Sequence, residues 1–190
     1  MKSALISIQP YWVFLIIAKK MGWNINQEKT VEVRKNYPKS NDWNKVVKIY
    51  CTKDKKSFAK IPKEYQPLMV QFLGKIIGEF VCDEIIVDKT FGHDALFNAC
   101  SCMNDAEIAS YCTNNKMYGW HISDLVIYDE PKELSEFYNE CEKTECDDCP
   151  HLHFENTPNS YEGWCEYDEK IPITRPPQSW CYVESEVDTE

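Results

Sequence analysis

Residues 27–37, QEKTVEVRKNY, place a glutamate and an arginine in a segment that alternates like a β-strand. Because successive side chains of a strand point to opposite faces, Glu32 and Arg34 share one face, and Val31 and Val33 share the other. An arginine there can bind a phosphate or a base edge, and the carboxylate can accept from an exocyclic amine. The alternative is an ordinary ion pair on a solvated strand.

Lys29, at the start of the same segment, is the candidate catalytic residue. A lysine acts as a nucleophile or base only where burial or neighbouring cations lower its pKa. Glu79, within GKIIGEF, is the candidate second carboxylate, because acid–base chemistry needs a titratable partner across a cleft. An outward-facing glutamate is the alternative for that position.

Four cysteines, Cys141, Cys146, Cys149 and Cys165, have the spacing C-x4-C-x2-C-x15-C. A C-x2-C pair with two further thiolates is what a closed tetrahedral zinc site requires, so we predict a structural zinc. His151 or His153 can replace one cysteine. Free thiols and disulfides are the alternatives. A catalytic zinc is disfavoured because four thiolates leave no open position.

Other cysteines, a histidine and two tryptophans have ordinary structural interpretations. Cys100 and Cys102 can join Cys112 in a second metal site, but packing is favoured. His121 is expected to be a hydrogen-bonded interior or edge residue. Trp120 and Trp180 can stack on a base, yet tryptophans beside strands usually belong to the core.

A basic stretch begins within the strand predicted at residues 45–51 and continues beyond it, with aromatic residues between its lysines. Lysines near aromatic rings suit single-stranded nucleic acid, because lysines meet phosphates and bases stack on rings. A solvated loop has the same composition. The stretch contains Lys45, Lys48, Lys53, Lys55, Lys56, Lys60 and Lys63, with Tyr50, Phe58 and Tyr65 between them.

The 190 residues suffice for one domain, and a hydrophobic share of 43% argues against disorder. Residues 1–89 carry 16 Lys and Arg against 9 Asp and Glu, whereas residues 90–190 carry 5 against 22. This asymmetry predicts one basic and one acidic surface. The apolar run in ALISIQPYWVFLIIAKK is too short to span a bilayer and lacks a cleavage site, so we expect a cytoplasmic protein with no membrane partner. Cytoplasmic cysteines are mostly reduced.

The chain is predicted to form short strands with two or three helices. Strands are expected at 4–8, 30–35 and 45–51, in GKIIGEFVCDEIIVD with a bend at Gly78, and in GWHISDLVIYDEP. Helices are expected at 11–20 and from Asn104 or Asp105 to Cys112. Residues 140–169 show little periodicity, and RPPQSWCYVE is expected to pack back on the body. The fold class is therefore α+β, a small, mostly antiparallel β-barrel with a few flanking helices.

The ordered set of ALISIQP, EKTVEVRK, GKIIGEF and WHISDLVIYDEP resembles the ASCH domain family of the PUA-like group. The resemblance covers roughly residues 3–135. It implies an ASCH/PUA-like barrel domain at 1–138, and residues 139–190 then form an acidic, cysteine-rich extension. The terminal TRPPQSWCYVE is similar to the ends of ASCH-like proteins of phages and gut bacteria, which implies a mobile-element origin.

The resemblance implies a cleft that binds RNA or a nucleotide-like ligand, and we assign Ser7, Gln9, Lys29, Glu32 and Arg34 to it. Some small ASCH proteins are amidohydrolases of acylated cytidine and others are nucleases; Lys29 matches the lysine that is catalytic in the amidohydrolases. Glu32 stands where those enzymes have threonine, which favours binding over hydrolysis. A third possibility is a phage-encoded inhibitor whose acidic surface binds a host nucleic-acid-associated protein.

Overall fold

The computed structural model of the chain describes most residues up to Glu140 and three shorter segments after it. Among the predicted metal ligands, Cys141, Cys146, Cys149 and His151 lie outside the described residues, and so does Cys112. The described residues are 2–39, 43–88, 95–111, 117–140, 152–154, 163–165 and 170–185.

Twelve strands and five helices are present in these ranges, together with single 3-10 turns at Val70–Phe72 and Leu134–Glu136. The strands are β1 (Lys2–Ile8), β2 (Val31–Arg34), β3 (Trp43–Cys51), β4 (Ile76–Val81), β5 (Ile85–Asp88), β6 (Met117–His121), β7 (Ser123–Lys132), β8 (Phe137–Glu140), β9 (Leu152–Phe154), β10 (Gly163–Cys165), β11 (Lys170–Pro172) and β12 (Trp180–Ser185). The helices are α1 (Pro10–Ile17), α2 (Lys55–Phe58), α3 (Gln66–Met69), α4 (Ala95–Ser101) and α5 (Asp105–Tyr111).

A seven-stranded sheet with the order β11-β8-β12-β1-β3-β4-β7 forms the centre of the fold. β1 is an inner strand because its apolar side chains are buried on both faces. It pairs in parallel with β3, and the sheet's other neighbours pair antiparallel. The predicted α+β class with mostly antiparallel pairing is confirmed.

The predicted barrel is not closed by the described strands. β7 and β11 lie at the two edges of the large sheet, and β2, β6 and β5 form a separate three-stranded sheet. The cause is that the two long strands predicted in GKIIGEFVCDEIIVD and GWHISDLVIYDEP each break and pass from one sheet to the other. The first breaks at Cys82, whose N–H donates to the Lys45 carbonyl, and the second breaks at Ile122, whose N–H donates to the Thr30 carbonyl.

Gly78 interrupts the regular register of β4 with both of its neighbours, as the sequence suggested. A Cβ atom at this position would lie 2.1 Å from the carbonyl oxygen of Val126 in β7. Such a distance is far inside van der Waals contact, so the close approach of the two strands requires glycine.

Helix α1 begins with Pro10 at its first position, where the missing N–H costs nothing. It ends at Ile17, before the predicted end at 20, and a turn over 18–22 follows, in which the Gly22 N–H donates to the Lys19 carbonyl and the Trp23 N–H to the Ala18 carbonyl. Its side chains from Val13 to Ile17 are buried against the sheet. Within the described part of the chain, no helix has the length and apolar character needed to cross a membrane.

The C-terminal segment contributes an inner strand of the main sheet. β12 pairs antiparallel with β1, so that Leu5 lies opposite Cys181. β8 and β11 continue the sheet beyond β12. β8 also spans residues 138 and 139, where the sequence predicts the domain boundary.

Candidate functional site

A cavity of about 890 Å³ lies between the end of β1, the start of α1, strand β2 and the segment before β12. All five predicted ligand-binding residues line it: Ser7, Gln9, Lys29, Glu32 and Arg34. This volume is in the range of pockets that hold small molecules and cofactors.

Strand β2 carries two of the charged side chains of the cavity, and all four of its residues are buried. Val31 and Val33 belong to a small core with Phe97, Ile108 and Met117. Glu32 and the neighbouring Arg34 take the other parity and line the cavity. The alternative of a solvated surface pair is therefore wrong.

Lys29, Glu32 and Arg34 form a buried ion trio. The Lys29 Nζ lies 3.4 Å from Glu32 Oε2, and the Arg34 Nη2 lies 3.0 Å from Glu32 Oε1. The three residues are 2%, 5% and 8% exposed. One carboxylate thus faces two cations, and the trio has a net formal charge of +1 in a poorly solvated place.

The Lys29 ammonium is fixed by three kinds of contact. Its Nζ donates to the Ser101 carbonyl at 2.8 Å, pairs with Glu32, and lies 5.0 Å from the centre of the Trp12 ring. Burial lowers the pKa of Lys29, and the nearby Arg34 lowers it further, while Glu32 opposes the shift. A lowered pKa is what a basic or nucleophilic lysine needs, but the same contacts also serve a structural role.

The Arg34 guanidinium connects β2 to the end of β1. Its Nη2 donates to the Ser7 carbonyl at 2.6 Å. Burial raises the pKa of Tyr111, which also lines the cavity, and the charge and hydrogen bond of Arg34 oppose that shift. Arg34 therefore lies between a carboxylate, a carbonyl and a phenol.

Three buried polar atoms at this cavity have no hydrogen-bond partner among the described residues: Ser7 Oγ, Arg34 Nε and Thr52 Oγ1. Buried polar groups are almost always paired in proteins, so each such atom requires an explanation. Their location on one cavity indicates a place where a polar ligand or water completes the bonding.

The sheet topology brings Thr52 to the site. β1 and β3 run parallel, so their carboxyl ends meet at one edge, and the Thr52 N–H donates to the Ile8 carbonyl at 2.9 Å. Asp54 follows; its carboxylate accepts from the Ser57 N–H at 2.9 Å and from the Gln9 side chain at 3.4 Å.

Glu79 is not brought to Lys29. It lies on β4, where its Oε2 accepts from Lys48 Nζ at 2.7 Å and from the Tyr128 hydroxyl at 2.6 Å. Glu79 does not line the cavity. The carboxylate nearest to Lys29 in the described site is Glu32.

The sequence missed several residues of the cavity, including Trp12, Asn36, Thr52 and Tyr111, and the segment 176–179. Trp12 had a signal, since it follows Gln9 by three residues at the start of a predicted helix. The others reach the site through pairings between distant segments, which no local pattern encodes.

The basic stretch does not line this cavity with any of its seven lysines. Lys48 pairs with Glu79, and Lys60 lies 5.7 Å from the Tyr11 ring. The interleaved aromatic residues belong to or pack against the hydrophobic core: Tyr50, Phe58 and Tyr65.

Two structural expectations are confirmed. Trp120 is fully buried, and its Nε1 donates to the Asn36 carbonyl. His121 ends β6, the middle strand of the small sheet, and is hydrogen-bonded: its Nδ1 lies 2.6 Å from an Asp83 carboxylate oxygen. Trp180 is partly buried against Trp120.

The predicted zinc site stays a prediction, since three of its cysteines lie outside the described residues. Cys165 lies in β10, where it pairs with Leu152 of β9, and His153 pairs with Trp164. Across the described ranges, no group of three or more His, Cys, Asp or Glu residues is placed to hold a metal. Cys100 and Cys102 are free thiols.

Comparisons with known proteins identify solved structures with a similar fold. No family model matches the chain, and no curated protein matches it. Crystal structures of an ASCH protein from Zymomonas mobilis are similar: a tyrosine-to-phenylalanine variant has 18% identity, a TM-score of 0.48 and coverage of 70% of this chain and 77% of that one. The unmodified protein has 14% identity, a TM-score of 0.47 and coverage of 96% and 87%. Both crystal structures are of a protein named for the family that this sequence resembles.

Proposed function

We propose that the protein binds single-stranded RNA, or a nucleotide-like group, in the cavity around Lys29, Glu32 and Arg34. The observation that carries the proposal is the buried, net positive trio beside polar atoms that have no hydrogen-bond partner in the described part of the chain. An arrangement made only for stability would pair such atoms or replace them by apolar groups.

The walls of the cavity suit a nucleotide. Trp12 and Tyr111 provide flat rings on which a base can stack, and Gln9, Asn36 and Gln178 provide amide groups that can bond to a base edge. The two aromatic residues come from different helices, so a base can enter between separate structural elements. Single-stranded RNA exposes both its bases and its phosphates to such a site.

The charges of the cavity also favour this ligand. Three cationic side chains, Lys29, Arg34 and Lys35, face two carboxylates, Glu32 and Asp54. An excess of positive charge attracts phosphate and makes the affinity fall as salt rises. The net charge of the whole chain is −10, so this attraction is a local property of the site.

The test is fluorescence anisotropy of a labelled six-nucleotide single-stranded RNA with the purified chain at several salt concentrations. We expect binding that weakens with salt, and a loss of roughly 5- to 100-fold for Trp12→Leu, from the usual energy of stacking one base. Trp23→Leu, a partly buried tryptophan outside the cavity, is the matched control. Equal affinities of the two variants would exclude stacking on Trp12.

Hydrolysis of acylated cytidine is a second candidate function, favoured by the burial and lowered pKa of Lys29. Lys29→Met is the test variant. Turnover by the wild type that is lost in this variant, while circular dichroism shows that the variant stays folded, supports the enzyme. Release of shortened RNA from the labelled oligonucleotide would support a nuclease instead. The inhibitor hypothesis rests on the acidic extension at 139–190, of which only 139–140, 152–154, 163–165 and 170–185 are described.

A further inference from the structure

The carboxyl ends of β1 and β3 and the start of α1 meet at one side of the cavity. Thr52 lies beside Ile8 through its backbone bond, and α1 begins two residues after Ile8. The ends of neighbouring parallel strands next to a helix N-terminus are a recurrent place for anionic ligands.

At the N-terminus of α1, Pro10 has no N–H and the Tyr11 N–H donates to Ser57 Oγ at 3.0 Å, so neither of the first two residues of α1 offers a backbone donor to a ligand. Gln9 occupies the cap position in an extended conformation, and its side chain makes no capping bond. Gln9 and Trp12 both line the cavity, so the first turn of this eight-residue helix faces it. The partial positive charge of a helix N-terminus favours an anion there.

A second, independent observation comes from the unpartnered atoms. Ser7 and Arg34 are each 8% exposed, and Ser7 Oγ and Arg34 Nε have no partner among the described residues. The bond from Arg34 Nη2 to the Ser7 carbonyl holds the guanidinium against Ser7. Thr52 Oγ1 is the third such atom. Two hydroxyls and a guanidinium N–H are all donors to an anionic oxygen.

We propose that Ser7 Oγ, Arg34 Nε and Thr52 Oγ1, at the start of α1, form a subsite for a phosphate oxygen of the ligand. This inference rests on the proposed function and specifies which group of the ligand the site binds. The ligand is held through its phosphate, and a neutral nucleoside is a poor ligand. Of the two cavity carboxylates, Glu32 is neutralised by Lys29 and Arg34, whereas Asp54 caps α2 and keeps a negative formal charge; with Lys35, the lining still has one positive formal charge in excess.

The phosphate can be an internal phosphodiester or a terminal monoester, and three RNA hexamers distinguish them. One has a 5′-hydroxyl, one a 5′-phosphate, and one a neutral methylphosphonate backbone. Loss of about tenfold or more with the neutral backbone indicates a phosphodiester in the subsite, and a similar gain with the 5′-phosphate indicates a monoester. Equal binding of all three overturns the subsite and the charge argument of the proposed function, and leaves only base stacking on Trp12 in place.

The double variant Ser7→Ala/Thr52→Val tests the residues themselves. Because these hydroxyls have no partner among the described residues, their removal leaves the thermal midpoint equal to or above that of the wild type. Whichever of the two phosphate-bearing hexamers binds the wild type more tightly then binds the double variant about tenfold more weakly or worse. Thr174→Val, at an exposed position outside the cavity, is the control. Unchanged hexamer affinity in the double variant overturns the subsite.

Inorganic phosphate separates this inference from the proposed function. If no hexamer binds to the wild type, the proposed function fails. Isothermal titration of the wild type with millimolar inorganic phosphate then tests the subsite alone. Heat of binding in the wild type that disappears in the double variant supports the subsite. Absence of such heat in the wild type overturns it.

Discussion

Replacing Glu32 by glutamine should destabilise the protein far more than an ordinary loss of a salt bridge. The substitution keeps the size and one oxygen of the side chain but removes the charge that lies between two cations. Lys29 and Arg34 then remain buried with no carboxylate between them. The local formal charge rises from +1 to +2 in a place that is 2–8% exposed.

The expected magnitude follows from the burial of the trio. Removing one partner of a buried ion pair costs about 3 to 5 kcal/mol, because the remaining charge stays desolvated. For a chain of 190 residues, this corresponds to a fall of roughly 6 to 20 °C in the thermal midpoint. Lys29→Met should cost less, because it leaves a neutral Glu32–Arg34 pair and removes an ammonium whose burial is unfavourable.

Urea unfolding at pH 7, followed by tryptophan fluorescence, measures both variants. Glu28→Gln is the matched control: Glu28 pairs with Lys19 at 3.0 Å, but both side chains are well exposed, so the loss should be below about 1 kcal/mol. The reasoning is refuted if Glu32→Gln costs no more than this control, or if Lys29→Met is the more damaging of the two cavity variants.

Three further predictions follow from other features of the chain. Gly78→Ala should cost about 3 kcal/mol in urea unfolding, because its Cβ would lie 2.1 Å from a carbonyl oxygen of β7; a cost near zero would show that the strands separate easily. Folding lowers the pKa of Lys29 below its ordinary 10.5. At pH values between the folded and the unfolded pKa, the unfolded chain therefore binds more protons than the folded protein. The stability of the wild type relative to Lys29→Met should therefore rise with pH across this window, and a flat or falling difference contradicts the burial argument. Elemental analysis should find one zinc per chain, lost in Cys146→Ser and retained in Cys181→Ser; metal-free wild type excludes the site.

The cavity residues could be predicted from the sequence to a useful extent. Alternation placed Glu32 and Arg34 on one face of β2, and the family resemblance added Ser7, Gln9 and Lys29. Alternation could not show that this face is buried. Burial depends on neighbours far along the chain, such as Ser101, whose carbonyl accepts from Lys29 across 72 residues.

For a related reason, local sequence patterns could not predict how the strands are divided between the two sheets. The sequence marked most strands, but it joined β4 to β5 and β6 to β7, because the residues between them are also compatible with extended structure. Whether a strand continues or changes sheets is decided by partners, here β7 for β4 and β6 for β5. Period-two alternation contains no information about those partners.

The same burial that hides the trio also argues for its role. A buried ion cluster is weak support for stability, since well-packed apolar residues of similar size often stabilise a protein as much or more. On the opposite face of β2, Val31 and Val33 are such apolar residues, and they pack in a small core. The cavity face instead retains a desolvated lysine and a guanidinium N–H that finds no partner within the described ranges. Such features are common where a site is prepared for a ligand, which is why we interpret the charged face of β2 as part of a binding site.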